Sequence, residues 1–281
     1  VTAAASPARL VFLDVDGTLA DRGVVPPGHA RAVREARAAG HRVLLCTGRP
    51  RAMLPPHLLD VGFDGLVASA GGYVELDGEV LVDERFPADL AAHVVEVLDA
   101  ADAAYVLEAP TALYGRPGVE QRLRAQLAGH VRDPDGPSDG PHTLLERLVV
   151  SDDLASRSFA KVSYFQARTP WADLVAALDD RLGLLPSSVT GDAGSTAGEI
   201  YLAGVHKARG IEAVSARLGV DRADVIAFGD GLNDIEMLAH AGTGVAIEGA
   251  DPRVLAVADR TAAGPGREGL VAAFAELGLT P

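Results

Sequence analysis

Asp14 and Asp16 stand two residues apart at the end of the apolar run Leu10-Val-Phe-Leu13. In an extended strand, positions two apart share a face, so both carboxylates address one site, and Gly17 lets the chain turn away at once. Neighbouring carboxylates repel, which raises one pKa and divides their tasks. Asp14 stays ionised as a nucleophile or metal ligand, while Asp16 carries a proton as general acid. Three further clusters have the same setting. Thr47-Gly48-Arg49 offers a hydroxyl and backbone donors, and Lys207 stands near the start of a predicted helix, where a compact ammonium suits a phosphoryl oxygen. The stretch Gly229-Asp230-Gly231-Leu232-Asn233-Asp234 supplies hard oxygen ligands. Asp14 and Asp230, with Asn233 and Asp234 behind them, match the preference of Mg²⁺ for one or two carboxylates, retained waters and a substrate oxygen. No His/Cys set with ligand spacing accompanies them, which points to magnesium rather than zinc. Together these parts describe phosphoryl transfer through an activated carboxylate.

Such residues converge only if the chain builds the right frame. Short apolar runs at Leu10–Val15, His41–Cys46, Phe63–Ala70, Asp224–Phe228 and Thr243–Ile247 read as buried strands, each ending in polar or glycine-rich turns. Helical segments are expected over His29–Ala39, Val205–Leu218 and Gly269–Leu277. This alternation predicts an α/β fold with a parallel-sheet core, whose ligands gather past the C-terminal strand ends. Between its two parts the period changes. Asp77-Gly78 marks a hairpin, Pro87–Ala101 and Val119–Leu127 read as helices, and Tyr105–Glu108 and Lys161–Gln166 read as strands. Trp171–Leu182 is expected to be one helix. Loops are expected over Asp133–Pro141 and Gly191–Gly198, and Ile200–Leu202 reads as a strand of the returning core. The division predicted is core over residues 1–84, an inserted α+β module over 85–194, and core again over 195–281.

Composition narrows the function. The chain has 281 residues, 48% of them hydrophobic, with 25 basic against 39 acidic side chains and a net charge of −14. It can bury a sizeable core, and its charge argues against a nucleic-acid surface. The opening residues lack a secretory pattern and no long apolar run occurs, so neither export nor membrane insertion is expected. A single cysteine, Cys46, fits a reducing cytoplasm and reads as a small core residue. There are two lysines, Lys161 and Lys207, and one asparagine, Asn233. In so biased a composition, such survivors draw attention as chemical groups.

Asp14-x-Asp-Gly-Thr18, Thr47-Gly-Arg49, Lys207 and Gly229-Asp-x-x-Asn-Asp234, in that order, resemble the four motifs of the haloacid dehalogenase superfamily of aspartyl phosphatases. The large insertion between the second and third resembles the Cof-type branch with its α+β cap. The resemblance implies that Asp14 attacks phosphorus, that Asp16 serves as acid and then base, and that Thr47, Gly48 and Lys207 hold phosphoryl oxygens. It also implies Mg²⁺ bound by Asp14, the Asp16 carbonyl and Asp230, with Asp234 and Asn233 supporting or joining that shell. Members of the branch often carry an Asn-Gly pair where this chain has Gly71-Gly72, which bears on the substrate and not on the chemistry.

The expected activity is hydrolysis of a small phosphate ester, such as a sugar phosphate, by a cytoplasmic enzyme. A phosphomutase passing the group to a second hydroxyl, or a silent metal- or phosphate-binding regulator, are the rival readings. Candidates for substrate contact are Arg49, Gly71, Gly72, Lys161 and Tyr164; the last two belong to a strand on which Lys161, Tyr164, Gln166 and Arg168 are read as alternating toward a pocket. Asn233 is also suited to cap the helix that follows it.

Overall fold

The structure, a computed structural model, describes residues 8–127, 140–186 and 196–281. The chain forms two compact units. One comprises Val1–Gly48, Pro55–Val82 and His206–Pro281, the other Arg49–Leu54 and Asp83–Val205. Among the described residues no helix is long and apolar enough to cross a membrane.

In chain order the first unit begins with strands β1 (Leu10–Leu13), β2 (Arg42–Cys46), β3 (Gly65–Ala68), β4 (Tyr73–Leu76) and β5 (Glu79–Asp83). The second unit holds β6 (Ala104–Glu108), β7 (Leu113–Gly115), β8 (Leu148–Val150), β9 (Lys161–Phe165), β10 (Leu182–Pro186) and β11 (Gly198–Leu202). The chain then returns with β12 (Val225–Gly229), β13 (Thr243–Ile247) and β14 (Arg260–Ala262).

The first unit is built on an eight-stranded sheet ordered β14-β13-β12-β1-β2-β3-β4-β5. β1 is central and wholly buried, pairing in parallel with β2 on one side and β12 on the other. A strand covered on both faces has no use for polar alternation, which is why Leu10-Val-Phe-Leu13 is uninterrupted. The chain winds outward from β1 in one direction through β2 and β3, and later in the other through β12 to β14. The β1/β12 boundary is therefore the topological switch point, where an open α/β sheet leaves a crevice beyond its strand ends. Asp14 directly follows β1 and Asp230 directly follows β12. The hairpin at Asp77-Gly78 forms as expected, both residues having positive φ (50° and 82°), as the tight turn between twisted strands requires. Helix Lys207–Leu218 stops at Gly219, whose left-handed φ of 66° closes its C-terminus.

The second unit carries a six-stranded sheet ordered β10-β11-β9-β6-β7-β8, antiparallel except between β7 and β8. Tyr105, Leu107, Val162, Tyr164 and Ile200 pack on one face against Leu90, Val94 and Leu98 of helix Ala88–Ala100. Ala104, Val106 and Phe165 point the other way into a second cluster with Leu123 and Met53.

Three expectations are corrected. Ile200–Leu202 belongs not to the core sheet but to β11, paired antiparallel with β9 and β10, so the second unit runs to Val205 rather than to residue 194. A short apolar strand looks alike in either sheet, because local pattern carries no information about its partner. Arg49–Leu54 also belongs with the second unit, where Met53 is part of its core. The helix expected over Trp171–Leu182 ends at Ala177. Asp179 accepts a hydrogen bond from the Arg181 N–H at 2.9 Å, a local turn that competes with the helix, and Leu182 opens β10. Of the loops expected over Asp133–Pro141 and Gly191–Gly198, residues 133–139 and 191–195 lie outside the described residues; helix Gly140–Glu146 takes up the end of the first, and Gly198 already opens β11.

Candidate active site

β1 delivers Asp14 to the switch point, held there by its own N–H, which donates to the Phe228 carbonyl at 2.9 Å. The chain then doubles back, with Leu19 N–H donating to Asp14 O and Gly17 N–H to Ala20 O. Gly17 has φ 86°, and a Cβ there would lie 2.3 Å from the Asp230 carboxylate. Glycine is needed twice over, for the backbone and for the approach of the second acid. Asp16 is exposed, two residues beyond the buried Asp14.

Asp14, Asp230 and Asp234 each place a carboxylate oxygen within 4.8 Å of the others. Lys207, fully buried, donates from Nζ to Asp14 Oδ1 at 2.5 Å and also to Asp234 Oδ1. The other oxygen of Asp234 accepts from the backbone N–H groups of Asp230 (2.9 Å) and Gly231 (2.8 Å). Asp234 is thus a bracket: it holds the Asp230 turn with one oxygen and the lysine with the other. Asp230 Oδ1 accepts from the Thr18 hydroxyl at 2.7 Å. Thr18 is the last residue of the first motif, and the motif alone gives it no task. The signal that could have found it is a hydroxyl one turn from two acids, the usual way a carboxylate is oriented.

Electrostatics follow from burial and charge count. Against the expectation that Asp14 is the readily ionised acid, burial raises its pKa well above the usual carboxylate range, Lys207 pulls it back, and Asp234, Asp16 and Asp230 push it up again. Asp230 is raised to about 6, first by burial, against the Thr18 hydrogen bond. Burial pulls the Lys207 pKa down, but Asp14 and Asp234 more than offset it and keep the ammonium charged. One cation stands among four carboxylates, those of Asp14, Asp16, Asp230 and Asp234. An oxygen-only donor set with surplus negative charge is what a hard divalent ion requires, so these residues fit such an ion.

The second motif joins them. Thr47 is buried at the end of β2, its N–H donating to Val67 O and its carbonyl accepting from the Ala70 N–H. A Cβ on Gly48 would meet the Asn233 side-chain amide at 3.1 Å, so that amide lies over Gly48. Asn233 does not cap the following helix, which has no side-chain cap. The structure therefore brings together Asp14, Thr47, Gly48, Lys207, Asp230, Asn233 and Asp234.

The remaining candidates separate. Gly71 packs against the His206 carbonyl, while Gly72 closes the turn that leads into β4. Arg49 belongs with the second unit. Lys161 and Tyr164 do not share a face: three apart on β9, they must point to opposite sides. Tyr164 is buried in the helix-covered core. Lys161 is ion-paired with Glu108 at 3.3 Å and Glu199 at 3.1 Å.

Comparison with known proteins is consistent with this geometry. The profile of the haloacid dehalogenase-like hydrolases matches residues 11–274. This chain belongs to that family. It is a phosphatase-type enzyme of the Cof branch, with a parallel-sheet unit and an α+β unit. It is 27% identical over 285 residues to YkrA of Bacillus subtilis (strain 168), covering 96% of this chain and 98% of that one. To the 5-amino-6-(5-phospho-D-ribitylamino)uracil phosphatase YbjI of Escherichia coli (strain K12) it is 27% identical over 270 residues, or 94% and 93% of the two chains. Among solved structures, the phosphatase BT1666 of Bacteroides thetaiotaomicron superposes with a TM-score of 0.75 at 26% identity, over 97% of this chain and 96% of that one.

Proposed function

We propose that this hydrolase is a Mg²⁺-dependent phosphatase acting on a small phosphorylated metabolite, such as a sugar phosphate, through an aspartyl-phosphate on Asp14. The observation that carries this reading is the meeting of the Asp14, Asp230 and Asp234 carboxylates within 4.8 Å. Asp14, Asp230 and the Asp16 carbonyl are the groups that would hold the ion, whose positive charge would offset the phosphoryl oxygens. Asp234, with both oxygens already accepting hydrogen bonds, supports the shell from behind.

Asp14 forms a bond to phosphorus as the ester oxygen departs, and Asp16, exposed beside it, gives that oxygen a proton. Asp16 then takes a proton from the water whose oxygen bonds phosphorus as the acyl phosphate breaks, which frees the Asp14 carboxylate and phosphate and returns Asp16 to its protonated form. Lys207 fixes one Asp14 oxygen and leaves the other to attack, while Thr47 and Gly48 hold phosphoryl oxygens. YbjI by its name acts on a phosphate ester of a ribityl chain, which supports a substrate of that size here. The net charge of −14 disfavours nucleic acid as substrate. The setting we assign is the cytoplasm, in keeping with a single free, buried cysteine.

The test is phosphate release from a panel of phosphorylated metabolites, with no second acceptor present, before and after chelation and Mg²⁺ return. Asp14→Asn should remain folded and lose at least about 10⁴-fold in kcat, the scale of removing a nucleophile. Wild-type turnover in that variant, or full activity without divalent metal, would overturn the assignment. Transfer that requires a second sugar would make the enzyme a mutase.

A further inference from the structure

We infer that the turn Ser69–Ala70–Gly71 is a positioning element that sets where the Lys207 ammonium sits, acting through the backbone of His206. The catalytic consequence rests on the function proposed above; the positioning itself does not.

The turn is an expensive one. Ser69 (φ 48°) and Ala70 (φ 53°) are consecutive non-glycine residues in the left-handed region, followed by Gly71 at φ 107°. Such conformations persist only where the surroundings over-determine them, and they collect at functional sites. Its side chains do not explain it. Ser69 is 2% exposed, yet among the described residues its hydroxyl finds no hydrogen-bond partner, and neither does the buried Nδ1 of His206. What the turn does achieve is a backbone connection. On one side the Ala70 N–H donates to the Thr47 carbonyl at 3.1 Å, tying the turn to the end of β2. On the other, Gly71 lies so close to the start of helix Lys207–Leu218 that a Cβ would meet His206 O at 2.3 Å and Lys207 N at 3.5 Å.

Lys207 follows His206 by one peptide and is fully buried, so its stem has no room to compensate for a displaced backbone. Its Nζ bonds Asp14 Oδ1 at 2.5 Å and Asp234 Oδ1. The connection therefore runs from Thr47 through the turn and His206 to Lys207 and Asp14, so that a phosphate-binding threonine and the lysine that aims the nucleophile are set by one piece of backbone.

The chain's two lysines make this measurable. In the full-length protein labelled with [¹⁵N]lysine, the Nζ resonances of Lys161 and Lys207 can be assigned by Lys161→Met, and Lys161 serves as an internal reference. Gly71→Ala should shift the Lys207 Nζ signal and speed its proton exchange at least about tenfold, with Lys161 unchanged. It should also lower kcat about tenfold or more, because sub-ångström displacement of a positioning group is costly, with KM changed less than threefold. Ala70→Val, which opens the turn without entering the His206 contact, should act in the same direction by about three- to fivefold, and decides the matter if Gly71→Ala does not fold. A folded variant with unmoved Lys207 resonance and exchange would overturn the positioning role. So would a loss that affects both lysines alike, which marks general destabilisation. A displaced Lys207 signal with unchanged kcat would instead leave the positioning intact and refute the catalytic use of Lys207.

Discussion

Each unit contains one lysine, and in each the ammonium is buried between two carboxylates: Lys207 between Asp14 and Asp234, Lys161 between Glu108 and Glu199. The local chemistry is nearly the same and the placement is not. Lys207 stands past the ends of parallel strands at a switch point, where Asp230 and Asp16 add charge that the lysine does not balance. Lys161 stands within a strand of an antiparallel sheet. Glu108 is its direct cross-strand partner, and Ser163, on the same face, donates to Glu108 at 2.5 Å. Burial raises the Glu108 pKa while Lys161 lowers it, and that lysine stays charged between its two glutamates. A buried ion pair in mid-sheet fixes register, since a slip of one residue would send every member to the other face. The same pair at strand ends leaves carboxylate oxygens aimed into a crevice. Position in the topology, not residue type, separates the lysine that locks a sheet from the one we propose to serve the reaction.

Three substitutions would break or sharpen that contrast. Lys207→Met should cost both kinds of function: about 3–5 kcal/mol of stability, as expected when a buried charge loses its partner, and at least about 10²-fold in kcat. Urea unfolding and phosphate release measure the two. Lys161→Met should destabilise by a comparable amount yet leave kcat and KM within about threefold per folded molecule. A tenfold rise in KM with unchanged stability would instead return Lys161 to the substrate side. Thr18→Val removes the hydroxyl that orients Asp230. The Mg²⁺ concentration for half-maximal activity should rise about 10–100-fold, the usual loss when the partner of a metal-binding carboxylate is removed.

The smallest effect lies away from both lysines. His29 is buried, donating from Nδ1 to Leu19 O and accepting at Nε2 from Leu270 N–H, and burial lowers its pKa against the Leu19 and Glu268 contributions. A histidine held neutral stabilises the fold above its unfolded pKa of about 6.5, and that stability is lost as pH falls below it. The wild-type melting temperature should therefore decline between about pH 7 and 5 more steeply than that of His29→Gln. Parallel declines would exclude His29 as the cause.

Much of this was legible in the residues. The polar clusters were recognisable because each interrupts or follows an apolar run, and because four of them in this order fall past the ends of strands expected in one sheet. The turn at Asp77-Gly78 was legible for a local reason, the positive φ its hairpin demands. Less accessible was the sheet to which Gly198–Leu202 belongs, since pairing partners are chosen by distant chain. The short strands β7, β8 and β14, of three residues each, carry too little periodicity to announce themselves. The grouping of Lys161 with Tyr164 failed on a rule the sequence did supply, because odd spacing along a strand means opposite faces.

By itself the sequence determined which groups are available and the order of strand, turn and helix that carries them, because chemistry and local periodicity reside in neighbouring residues. The tertiary structure alone decided that Asp234 holds both Lys207 and the Asp230 turn, that Thr18 serves Asp230, and that one buried lysine sits among surplus acids while the other locks a sheet. These are through-space relations between segments far apart in the chain, fixed by sheet order and close packing, and no local pattern encodes them.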